Sequence, residues 1–136
     1  KRLCGHTEPV EGEVVGGNLC VLASLSGTEW ALKAKDKILL LEDVGEAPYR
    51  VDRMITQLMG AGTFEGVRGV ALGTFYGCEA PGDSGWSLGD ILRERLSPLN
   101  VPVVAGMPVG HGPNNYPWAV GAHAKLQSNG LVWTKA

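Results

Sequence analysis

Short apolar runs alternate with polar, glycine-rich breaks along the chain, and each run is about as long as one element. Asn18 suits the cap of a short apolar helix over 19–25, which Gly27 ends. The run 37–41 follows Asp36 and predicts a buried strand. Glu42 and Asp43 come directly after it, so carboxylates stand at the strand's C-terminal end. Gly45 allows a turn, and Pro48 suits the first turn of a helix. That helix, 49–59, carries Val51, Met54, Ile55, Leu58 and Met59 on one apolar stripe. A second apolar strand is predicted over 67–75, and 77–85 is a loop. Ser87 with Asp90 resembles a capping box that opens a helix over 88–96.

A third strand is predicted over 101–105, followed by a loop, 106–117, rich in Gly and Pro and carrying His111. Residues 118–126 and 131–133 read as closing strands joined by Ser128-Asn129-Gly130, since Asn-Gly is a strong hairpin signal. Residues 1–13 are the least patterned and read as an entry segment. The whole is an α/β or α+β fold: a single layered domain of short strands with two or three helices.

Composition narrows the classes. The 136 residues suit one domain and a self-sufficient core. Twelve basic and fourteen acidic side chains give a net charge of −2, with no basic run beyond Lys1-Arg2. Neither a nucleic acid nor a membrane surface is therefore expected as a partner. No apolar stretch, Ile38 to Leu41 included, approaches the ~18 residues of a membrane-spanning helix. The opening residues do not read as a secretory signal. Cys4, Cys20 and Cys78 cannot all pair internally and fit a reducing compartment. The chain begins at Lys1 rather than Met, and a cut at or near a domain boundary is one expectation for that start.

Several residues carry candidate chemistry. Gly82-Asp83-Ser84-Gly85 looks like a serine-protease nucleophile motif, but Trp86 follows it and the chain is short, so a loop before a capped helix is the better reading. Cys78-Glu79 with His111 or His123 lacks metal-ligand spacing, and no metal or cofactor is expected. Gly16-Gly17-Asn18 could present backbone N–H groups to an anion or simply form a tight turn and cap. Glu46, Arg50, Asp52 and Arg53 suit a solvated helix face with local ion pairs. His111 stands between Gly110 and Gly112, which remove steric cover and let other backbone approach it. Glu42 stands at a strand end, where a carboxylate usually caps something, although strand C-termini also host catalytic side chains in α/β proteins.

Taken together, Gly16-Gly17-Asn18-Leu19, Gly27-Thr28, and the run from Ile38 through Glu42-Asp43 to Met54 resemble the serine LD-carboxypeptidases. These are the muramoyltetrapeptide carboxypeptidases, whose relatives include the microcin C immunity peptidases. Gln57-Leu58, Ala61-Gly62, Val70 to Gly73, Pro102-Val103, Gly106, Gly110-His111-Gly112 and Val120 to Leu126 continue the likeness. It implies an entry or linker segment, 1–14, and the C-terminal domain of a two-domain enzyme, 15–136. It places the triad glutamate at Glu42 and the triad histidine at His111, with Gly17, Asn18 and Glu46 in substrate binding.

The nucleophilic serine would lie in an N-terminal domain, the implied partner. None of Ser24, Ser26, Ser84, Ser87, Ser97 or Ser128 sits in a Gly-x-Ser-x-Gly elbow. The chain alone is therefore expected to be inactive. The implied reaction removes the terminal D-alanine from murein tetrapeptides in cytoplasmic peptidoglycan recycling, by a homodimeric enzyme without cofactors. A microcin C-type immunity peptidase is the alternative, and a non-enzymatic peptide- or carbohydrate-binding module a more distant one. Trp30, Tyr49, Tyr76, Trp86 and Trp118 are candidates for the face that meets the missing domain.

Overall fold

Arg2–Cys4 (β1) and Val10–Asn18 (β2) open the chain as strands in the computed structural model, which describes residues 1–79 and 86–135. The entry segment expected over 1–13 thus contributes directly to the sheet. The alternation that builds β2 is present but thin: Gly12 and Val14 are buried, while Glu11 and Glu13 point outward. Those two carboxylates pair with Lys125 and Lys37, at 3.2 and 2.8 Å. Two glycines near the end of the strand hid its length from a propensity reading.

Leu19–Ser24 (α1) follows without a loop, capped by the Asn18 side chain on Val21 N–H. Ile38–Val44 (β3), Pro48–Gly60 (α2), Gly69–Tyr76 (β4), Leu88–Leu96 (α3) and Val103–Ala105 (β5) continue the alternation. A 3₁₀ turn, Ser97–Leu99, follows α3. His123–Gln127 (β6) and Gly130–Lys135 (β7) close the chain as a hairpin. Residues 118–122, expected as strand, are instead an irregular approach to β6. Gly121 turns there at φ +86°, and half-buried Trp118 packs under the sheet.

Among the described residues the sheet has seven strands, in the order β1-β5-β4-β3-β2-β6-β7. Strands β2 to β5 run parallel at its centre, and β1, β6 and β7 join antiparallel at the edges. The fold is therefore α/β in its middle with antiparallel margins. Along β3 the pleat divides two cores. Leu39 and Leu41 face α1, α2 and α3, against Val51, Ile55, Leu58 and Leu92. Ile38 and Leu40 face the other way, against Val104, Met107, Val109 and Leu126. All four strand residues are fully buried, which is why the run shows no polar alternation. The capping box of α3 is formed as the sequence predicts, with Ser87 and Asp90 each bonding the other's backbone.

Candidate active site

The C-terminal ends of the parallel strands gather at one rim, the usual ligand-binding edge of a parallel sheet. Glu42 lies there on β3, with only 6% of its surface exposed. Opposite it, β4 carries one extra residue: Leu41 pairs with Leu72, but Asp43 pairs with Phe75. Gly73 and Thr74 together face Glu42, a bulge that re-aims the local side chains. Only glycine fits at 73, because a Cβ there would stand 2.9 Å from Glu42 Cβ and 2.6 Å from Val109 O.

The bulge also receives the loop of residues 106–117. Thr74 N–H donates to Val109 O at 2.8 Å, and Met107 N–H to Leu72 O at 3.0 Å. Asn115 Oδ1 accepts from Gly110 N–H at 3.2 Å, and Tyr116 N–H donates to Pro108 O at 2.8 Å. Gly110 adopts φ +115°, and a Cβ on it would meet Glu42 Oε2 at 2.5 Å. Backbone thus passes directly over the buried carboxylate and delivers His111 to it.

His111 Nδ1 lies 2.8 Å from Glu42 Oε2. In the neutral imidazole, Nδ1–H donates to the carboxylate, which leaves Nε2 with its lone pair. The His111 side chain is 56% exposed while that of Glu42 is 8% exposed, so the basic edge of the ring faces outward. The hydrogen bond and charge of Glu42 push the His111 pKa above its ordinary value. A ring nitrogen left open by a buried carboxylate partner can accept a proton from a hydroxyl brought to it. Among the described residues, Ser24 donates to Val21 O and Ser87 to Asp90, and neither is bonded to His111. The Gly82 to Gly85 motif lies outside the described residues.

The other expected site residues share this rim. Asn18 ends β2 in direct register with Glu42. Gly17, at φ +150°, faces open space where a Cβ would stand. Glu46 lies in the turn between β3 and α2 and pairs with Arg50 at 3.4 Å. His123 stands apart, paired in the sheet with Glu13 and Lys135, and Cys78 is buried.

Asp43 was not singled out by the sequence, yet it is 1% exposed and accepts three hydrogen bonds. Burial pushes its carboxyl above the ordinary value, against the pull of those bonds. Its position beside Glu42 was legible; its inward side chain depends on the pleat.

Comparison with known proteins gives the family of this domain. The family described as LD-carboxypeptidase C-terminal domain matches residues 11–126. The murein tetrapeptide carboxypeptidase of Pseudomonas aeruginosa is 38% identical over 98% of this chain and 43% of its own length. The solved muramoyltetrapeptide carboxypeptidase of Oxalobacter formigenes superposes with a TM-score of 0.82 at 37% identity, over 91% of this chain and 44% of that one. The microcin self-immunity protein MccF superposes with a TM-score of 0.81 at 26% identity, over 97% of this chain and 40% of that one. The chain thus spans about two-fifths of the length of these relatives. With a family match over most of its length and close superposition on solved relatives, the chain belongs to the LD-carboxypeptidase C-terminal domain family.

Proposed function

We propose that this chain supplies the glutamate–histidine half of a serine LD-carboxypeptidase that releases the terminal D-alanine of murein tetrapeptides. The observation that carries this reading is the 2.8 Å bond between His111 Nδ1 and buried Glu42. In the reaction, His111 Nε2 takes the proton of a serine hydroxyl as its oxygen attacks the scissile carbonyl. Glu42 holds the ring in the required tautomer and stabilises the imidazolium. The tetrahedral intermediate collapses as His111 gives its proton to the departing D-alanine amine. Water then attacks the acyl-serine by the same proton route, releasing the shortened peptide and regenerating the serine. Gly17, Asn18 and Glu46 on the same rim are the proposed substrate contacts.

The serine belongs to a second, N-terminal domain in this reading, and the exposed apolar side chains of the chain support a covering partner. Val44 and Tyr76 end β3 and β4, and both are exposed. Tyr49 opens α2, Trp86 precedes the cap of α3, and Tyr116 lies on the His111 loop, all exposed as well. Exposed apolar side chains of this kind suit a covering domain better than bulk water. Of the five aromatics named from sequence, Trp118 is half-buried in the second core and Trp30 lies beyond the end of α1. We place the complete enzyme in the cytoplasm as a homodimer, on the family resemblance.

A substrate panel on the enzyme completed with its nucleophile domain tests the specificity. A murein tetrapeptide should be cleaved at its D-alanine bond far faster than a peptidyl-nucleotide. The reverse preference would make the protein an immunity-type peptidase.

A further inference from the structure

Asp43 and Asn18 form a closed polar link between β3 and the start of α1. Asn18 Nδ2 donates to Asp43 Oδ1 at 3.1 Å, and Cys20 N–H donates to Asp43 Oδ2 at 3.1 Å. Asp43 Oδ1 also accepts from its neighbour Val44 N–H, at 2.8 Å. On its other side, Asn18 Oδ1 accepts from Val21 N–H at 3.0 Å. The Asn18 amide can therefore sit only one way round. The reversed orientation would set its carbonyl against a buried carboxylate and its NH2 against the Val21 N–H. One Nδ2 hydrogen and the amide oxygen are committed, and the second Nδ2 hydrogen makes no bond to any described residue. Asn18 also pairs with Glu42 in the sheet, so the link ends on the strand beside the half-site.

We propose that Asp43 is a positioning residue: it fixes the Asn18 side chain so that one N–H donor is presented next to Glu42, toward a carbonyl or carboxylate oxygen of the bound peptide. This deepens, and rests on, the reading of the rim as a peptidase site. Asp43 itself touches no substrate. Its buried carboxylate acts through Asn18, and it also anchors the first turn of α1, which explains why an unpaired acid is tolerated at that depth.

Two variants separate positioning from simple support. Asp43→Asn removes the acceptor that orients Asn18. The pair Asn18→Asp with Asp43→Asn exchanges acid and amide, preserving the contact between the two side chains and the cap on Val21 N–H, at the cost of the acceptor for Val44 N–H, while removing the donor at position 18. Hydrogen exchange by NMR on this chain is read first. In Asp43→Asn, the Asn18 side-chain NH2 and the Val21 amide should exchange at least roughly tenfold faster, the scale of one lost charge-assisted bond. In the exchanged pair, Val21 protection should return.

In the completed enzyme, the exchanged pair should show KM raised roughly tenfold or more with kcat changed by less than about threefold, as for lost ground-state binding. An unchanged Asn18 signal in Asp43→Asn, or wild-type KM in the exchanged pair, would overturn the proposal. So would failure of both variants to fold, which would make the link a folding element. If the unsubstituted completed enzyme shows no peptidase activity, the proposed function fails, while the exchange data still decide the Asp43–Asn18 link.

Discussion

His111 Nδ1 and Glu42 Oε2 meet at 2.8 Å although 69 residues separate them, one on an open loop and the other nearly buried on β3. The contact exists because β4 bulges opposite Glu42 and because residue 110 has no side chain. Gly110→Ala would force a Cβ to within 2.5 Å of Glu42 Oε2 at a φ that favours glycine. The expected outcome is a displaced His111 loop in an otherwise folded chain. NMR should show lost chemical-shift signatures at residues 109–112 with those of the helices retained.

The pair also sets a pH dependence. Glu42 raises the folded-state pKa of His111 above the ordinary imidazole value of about 6.5. The stability that this shift contributes is fully present below the unfolded value. It is lost as pH rises through the folded one. An NMR titration of His111 should give a midpoint above that of an unfolded histidine, and Glu42→Gln should bring it down. In the completed enzyme, the rising acid limb of kcat/KM should follow the same midpoint, because the general base must be neutral to act.

Core energetics follow from the division of β3 into two faces. Leu41 is fully buried against the helices, so Leu41→Ala should cost about 2–5 kcal/mol in a denaturant titration. Ser87→Ala removes half of a formed capping box and should cost about 0.5–2 kcal/mol. The second substitution touches only the Asp90 cap and should leave the His111 titration unchanged.

Gly16 makes a sharper test of the sheet. A Cβ there would stand 1.9 Å from Leu40 O, at φ +133°. Gly16→Ala should therefore separate β2 from β3 or prevent folding, which circular dichroism would detect. Gly45→Ala, with φ +68° but nothing within 4 Å of the added Cβ, should be milder.

These contrasts mark what the sequence could and could not convey. The helix over 88–96 and the stripe from Val51 to Leu58 were legible because capping and a 3.6-residue period are local properties. Glu42 was legible as a strand-end carboxylate, and His111 as a glycine-flanked loop histidine. Their meeting was accessible only through family resemblance, since no local pattern encodes a contact between a bulge and a distant loop. The strands β1 and β2 were missed because partners in β5, β3 and β6 stabilise them, not a strong apolar alternation of their own. Asp43 was passed over for a related reason. Its role depends on which face of the pleat it occupies, and the run of apolar residues before it is continuous on both faces.

The central claim is that Glu42 and His111 form part of a site completed by another domain. D-alanine release from a synthetic murein tetrapeptide tests it most directly, measured with this chain alone and with the chain joined to a nucleophile-bearing domain. The account predicts no enzymatic release by the chain alone. Joined, it should release D-alanine, and His111→Ala or Glu42→Gln should each lower kcat by about a thousandfold or more, with the double variant scarcely worse. Enzyme-rate release by the isolated chain, or full activity in the joined His111→Ala variant, would contradict it.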